Sequence, residues 1–82
     1  MINTKEIKKL LIDKDLKIND IAIYIGKSYS NTLLKINGKI PMNLNDAEKI
    51  QELLEIDDSD FAFYFLYKER TVWLYIIWIM GL

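Results

Sequence analysis

The stretch from residue 18 to residue 39, INDIAIYIGKSYSNTLLKINGK, limits most strongly what this chain can fold into. Its first half carries apolar residues at the i, i+3, i+4 and i+7 spacing of one buried helical face. These residues are Ile18, Ile21, Ala22 and Ile25. Gly26 follows where such a helix has to end, because glycine adopts a left-handed backbone conformation without a Cβ penalty. The first half therefore predicts a short amphipathic helix that ends in a tight turn.

The second half of the stretch predicts another short helix, Tyr29–Ile36. Ser28 precedes it and suits the N-cap position, because its hydroxyl can accept a hydrogen bond from a free amide of the first turn. The pair Asn37-Gly38 then provides a signal for the helix to stop.

The order and spacing of these residues resemble the helix-turn-helix of the phage Cro and repressor family, the lambda-repressor-like or XRE-type regulators. The residues that carry the likeness are Leu16, Ile21-Ala22, Ile25-Gly26, Ser28 and Asn37-Gly38-Lys39. Residues 41–56, PMNLNDAEKIQELLEI, resemble the fourth helix of the family, and small phage regulators of Gram-positive bacteria are the closest likeness. The chain departs from the pattern at Lys17, where the family often has a capping serine or threonine, and at Lys27, where it often has an aliphatic residue. The family's buried residue in the middle of the second motif helix aligns on Thr32, whereas the apolar neighbour is Leu33, so the register of that helix is open by one position.

The resemblance implies both a fold class and a mode of action. Proteins of this kind are all-α bundles of about five short helices, and they usually bind double-stranded operator DNA as dimers, with the second helix of the motif in the major groove. We therefore expect an all-α, five-helix, lambda-repressor-like helix-turn-helix domain in residues 1–67. An apolar C-terminal tail is expected to follow in residues 68–82.

The residues outside the motif predict further helices. Thr4 can cap a first helix over residues 5 to 15. Asn43 followed by Asp46 is a version of the capping box, and it predicts the start of a helix that ends near Glu55. The predicted inward stripe of that helix is Leu44, Ala47, Ile50, Leu53 and Leu54.

The C-terminal part of the chain is the least typical. The acidic residues 57–60 suit a helix start, and residues 72–82, VWLYIIWIMGL, are fewer than the ~20 that a membrane span needs. These residues favour either a strand or a further helix, and either form exposes an apolar surface of the kind found at interfaces. The tail either forms a homodimer interface or folds back on its own core. The candidate dimer contacts are Val72, Trp73, Tyr75, Ile77 and Trp78.

The helix that resembles a recognition helix carries the candidate DNA contacts. Those to the bases are Ser28, Tyr29, Ser30 and Asn31, because asparagine can bond adenine through two hydrogen bonds and serine suits several bases. Those to the phosphates are Lys17, Lys27, Lys35, Asn37 and Lys39. Phosphate contacts supply affinity without sequence information.

Charge and composition narrow the classes of function. The net charge is −1, yet residues 1–41 hold eight lysines against four acidic residues, a balance of +4, and residues 42–82 hold three basic residues against eight acidic ones, a balance of −5. The basic half coincides with the motif. Cysteine and histidine are absent, so thiolate and imidazole metal ligands and the commonest general base are missing. We expect no cofactor, and an enzyme is the least favoured class.

Two functions therefore compete. The leading hypothesis is a cytoplasmic, sequence-specific transcriptional regulator, since the polar, lysine-rich N-terminus does not resemble a signal peptide. It would act as a dimer that occupies its operator and excludes polymerase. The alternative is a protein-binding helix-turn-helix module, such as an antirepressor or an inhibitor of a host defence nuclease. Overall acidity, the exposed pair Leu33-Leu34 and the absence of arginine from the motif favour it, because arginine to guanine is the commonest specific base contact.

Overall fold

The computed structural model describes residues 2–66, and this part of the chain consists of helices, turns and loops without a β-strand. The helices are α1 (Thr4–Asp13), α2 (Ile18–Ile25), α3 (Tyr29–Ile36), α4 (Leu44–Leu54) and α5 (Phe61–Phe65). A 3₁₀ turn, Asp58–Asp60, leads into α5. The expected all-α class is thus confirmed over the described residues, whereas the candidate dimer contacts of the tail lie outside them.

The predicted caps on α3 and α4 are confirmed. The hydroxyl of Ser28 accepts a hydrogen bond from the amide of Asn31 at 3.1 Å, and the side-chain oxygen of Asn43 accepts one from the amide of Asp46 at 2.8 Å. Each bond satisfies a backbone donor that the first turn of a helix otherwise leaves free. Local sequence therefore defines where both helices begin.

The predicted cap on α1 is wrong. Asn3 occupies the N-cap position and Thr4 is already the first helical residue. The Thr4 hydroxyl instead donates a hydrogen bond of 2.6 Å to the carbonyl of Ile36, the last residue of α3. Because the last carbonyls of a helix have no partner within the helix, this contact satisfies the end of α3 and fixes the start of α1 beside it.

Two glycines close the central helices as expected. Gly26 follows α2 with φ of 73°, and Gly38 follows α3 with the same value. An L-residue with a Cβ is strained in this left-handed region, which glycine enters freely. Glu55 also adopts a left-handed conformation, at φ of 56°, where it ends α4. Because the residue at this position is neither glycine nor asparagine, the sequence did not predict a left-handed helix end there.

The core is built from one fully buried isoleucine in each of the first four helices. These residues are Ile7, Ile21, Ile36 and Ile50. Full burial of such a side chain stabilises the fold by about 1.5–3 kcal/mol. The inward stripe of α4 is confirmed at Ala47, Ile50 and Leu54, which are buried, and Leu53 is half-buried against the core. The prediction is wrong for Leu44, since 64% of its surface is exposed.

The fifth helix closes the bundle against the beginning of the chain. Phe65 is buried and its ring lies 4.8 Å from that of Phe61, centroid to centroid. The backbone amide of Asn3 donates to the carbonyl of Tyr64 at 2.7 Å. Both ends of the described chain therefore meet at one side of the core. None of the described helices combines the length and apolar character needed to cross a membrane.

Candidate nucleic-acid interface

The first turn of α3 is a polar surface open to solvent. Ser28 and Ser30 are exposed, and Tyr29 exposes 51% of its surface. Asn31 is half-buried, and its side-chain oxygen is buried without a hydrogen-bond partner among the described residues. The fold thus brings all four candidate base contacts together. Tyr29 and Ser30 are presented most freely, because the Ser28 hydroxyl is engaged in the cap.

The opposite side of α3 anchors the helix to the core. Thr32 and Ile36, four positions apart, are both fully buried, whereas Leu33 is half-buried. Of the two alternatives for the register of α3, the structure therefore has Thr32 as the buried residue. Its hydroxyl is buried with no hydrogen-bond partner within residues 2–66. A buried hydroxyl without a partner is destabilising.

Lys35 does not have the surroundings expected of a phosphate contact. Its side chain is 9% exposed, and its ammonium group donates to the Asp46 carboxylate at 2.5 Å. Asp46, itself 1% exposed, does not reach back to its own N-cap as the capping box requires. The ion pair joins α3 to the first turn of α4 instead. With its ammonium group buried and paired, Lys35 is not placed for a phosphate contact, and the second half of the predicted capping box is wrong.

The other candidate phosphate contacts remain accessible. Lys17, Lys27 and Lys39 are exposed, and none of the three forms an ion pair with a described carboxylate. Asn37 is half-buried at the end of α3. The backbone amide of Lys17 donates to the Asp20 carboxylate at 2.7 Å, so Asp20 stabilises the start of α2 in place of the serine or threonine missing at residue 17.

Two further polar residues lie beside the candidate interface, and sequence reasoning did not select them. Lys8 and Asn19 line a shallow groove of about 430 Å³ together with Lys17 and Tyr29. Lys8 comes from α1 and Asn19 from α2, so only the packing of these helices brings them to the start of α3. Lys8 also differs from its neighbour Lys9 in its ion pairing. Lys9 pairs with Glu6 at 3.4 Å, whereas Lys8 has no described acidic partner.

Tyr24, on the exposed side of α2, interacts with Glu52 of α4. A hydrogen bond from Tyr24 to Glu52 raises the pKa of the tyrosine above its usual value, since the bond and the nearby negative charge both favour the protonated hydroxyl. The contact connects α2 to the acidic, outer face of α4.

Apolar side chains also reach the surface on the central helices. Ile23 on α2 is 72% exposed, and Leu34 on α3 is 42% exposed. Single exposed apolar residues are common in folded proteins. Leu34, however, lies four positions after Ser30 and so on the same face of α3, where it would meet a partner that binds Ser30.

The described part of the chain holds no cluster of three or more carboxylates, histidines or cysteines suited to a metal ion. No protein-family model, curated protein or solved structure matches the chain.

Proposed function

We propose that this chain is a sequence-specific DNA-binding regulator of the phage Cro and repressor type, with a lambda-repressor-like fold, acting in the cytoplasm. The observation that carries the proposal is the first turn of α3, where Ser28, Tyr29 and Ser30 are exposed on a helix whose opposite side is anchored in the core by Thr32 and Ile36. Side chains in the first turn of a recognition helix are the ones that reach base edges in the major groove.

The accessible lysines support the same function. Lys17, Lys27 and Lys39 flank the two central helices, and Lys8 lies beside Tyr29. Because these lysines lack described acidic partners, their charge remains available to phosphates. Phosphate contacts supply much of the affinity of DNA-binding proteins and orient the recognition helix.

The regulator would act as a homodimer on a two-fold symmetric operator. Two recognition helices of such a dimer occupy successive major grooves, ~34 Å apart. Occupation of the site excludes polymerase, which requires neither catalysis nor a cofactor.

Selection from a pool of random duplex DNA at physiological salt tests the proposal. We expect enrichment of a symmetric site whose half-sites lie ~10 bp apart. A matched pair of variants separates base recognition from electrostatic binding to phosphates. Ser30→Ala is expected to alter the enriched sequence, whereas Lys39→Gln is expected to lower the recovery of all sequences evenly. Retention of every sequence equally, and only at low salt, would contradict a sequence-specific regulator.

A second candidate function is a protein-binding module built on the same two helices. The exposed Leu34 and Ile23 favour it, because apolar surface beside a polar first turn suits a protein surface better than a phosphate backbone. Replacing Leu34 with glutamine distinguishes the two. The change would abolish binding of a protein partner captured by the chain and would leave the salt dependence of DNA binding unchanged.

A further inference from the structure

An apolar groove of about 600 Å³ lies between the loop after α3, the start of α4 and helix α5. Its described lining is mostly apolar and includes Ile2, Met42, Leu44, Phe61, Phe65 and Leu66. Two of these residues remain more than half exposed, Leu44 at 64% and Leu66 at 58%. Contiguous apolar surface of this kind on a small protein usually marks a binding surface.

The chain beyond the described residues matches the groove in chemistry. Residues 72–82 contain no charged side chain, and every one of them except Gly81 is apolar or aromatic. Leu66, the last described residue, is itself part of the lining. Six residue steps separate Leu66 from Val72, and an extended chain of that length reaches ~20 Å. The apolar segment therefore begins within reach of the groove.

We propose that residues 72–82 pack into the groove of their own chain and cover Leu44 and Leu66. A segment tethered by a short linker has an effective concentration of ~1 mM or more at a site it can reach. The chain's own groove therefore outcompetes the groove of a second molecule at lower protein concentrations. Of the two roles that the sequence leaves open for the tail, the groove favours the fold-back over the homodimer interface.

The two tryptophans of the chain provide a direct readout. Trp73 and Trp78 both lie in the tail, so the tryptophan fluorescence of the full chain reports on that segment alone. The test variant is Leu44→Glu, which places a charge on the rim of the groove. Leu44 is exposed and is the first residue of α4, where a negative charge is favourable, so the fold should persist. Far-UV circular dichroism checks this point.

A matched control is Ile23→Glu, since Ile23 is exposed to a similar degree and lines neither groove. We expect Leu44→Glu to shift tryptophan emission to longer wavelength and to increase quenching by acrylamide. The loss of apolar contact lowers the docking equilibrium constant about tenfold or more. Ile23→Glu should leave emission and quenching at the values of the unmodified chain.

Several outcomes would overturn the proposal. An unchanged spectrum in Leu44→Glu means that the tail is not in the groove, and equal shifts in both variants mean that the effect is not specific. Protection of the tryptophans that disappears on dilution, together with a dimer seen by sedimentation, assigns the groove to the tail of a second copy. Protection that arises only with phosphatidylglycerol vesicles assigns the tail to a lipid surface. These experiments are carried out without DNA, so their outcome does not depend on whether the proposed regulatory function is correct.

Discussion

The two ends of α3 carry polar residues in the sequence but have opposite surroundings in the structure. Its first turn exposes Tyr29 and Ser30, whereas its last turn buries Lys35 against Asp46. In the last turn, Lys35 meets the Asp46 carboxylate in the first turn of α4, whereas the first turn of α3 has no such partner among the described residues. A lysine near a predicted DNA contact is thus not by itself a surface charge. The neighbouring helix decides whether it binds a ligand or holds the fold together.

The largest expected effect concerns the buried end. Asp46→Ala should lower the free energy of unfolding by about 3–5 kcal/mol, because it leaves the Lys35 ammonium buried without a partner. The measurement is urea denaturation. Lys39→Ala is the matched control and should change stability by less than about 0.5 kcal/mol, since Lys39 is exposed. Equal effects of the two variants would show that the two ends of α3 do not differ as described.

The exposed end should affect recognition instead of stability. Ser30→Ala and Asn31→Ala are each expected to cost about 1–3 kcal/mol of discrimination between the preferred site and a site with one altered base pair. Competition binding with the two duplexes measures the loss. Asn31 is the more demanding case, because its side-chain oxygen is buried and must be re-exposed to meet a base. Discrimination unchanged in both variants would remove these residues from the interface.

A smaller effect on stability is expected at Thr32, on the buried side of α3. Thr32→Val should raise the free energy of unfolding by about 1 kcal/mol, because it removes a buried hydroxyl without a described partner and keeps the shape of the side chain. Thermal denaturation measures the change. Thr32→Ser keeps the hydroxyl but loses a methyl group, so it should destabilise by about 1 kcal/mol. A destabilised Thr32→Val would indicate that the hydroxyl makes a hydrogen bond.

The smallest effect is electrostatic. Lys17→Gln is expected to reduce the slope of log K for DNA binding against log salt by about 0.9, the contribution of one phosphate contact. Lys14→Gln is the control, because Lys14 already pairs with Glu55 at 3.2 Å. Titrations at several salt concentrations provide both slopes. An equal reduction in the two variants would show that basic residues act without regard to position.

Prediction from sequence succeeded where a structural feature depends on residues close together in the chain. The predictions are confirmed for the caps at Ser28 and Asn43 and for the left-handed turns at Gly26 and Gly38. The buried face of α2 is confirmed at Ile21, Ala22 and Ile25, and Ile18 is half-buried. It failed at Leu44, which has the right spacing for the buried stripe of α4 but lies at its first residue. At that position the side chain borders the open groove beside α5 and remains exposed.

For the candidate interface, the sequence alone determined which segment forms the first turn of α3 and which polar residues it carries, because helix period, capping and glycine turns act over a few positions. The tertiary structure alone decided that Lys35 pairs with Asp46, that Thr4 binds the end of α3 and that Lys8 lies beside Tyr29. The members of these three pairs, two in contact and one sharing a groove, are 11, 32 and 21 positions apart in the chain. Only the packing of one helix on another brings such residues together.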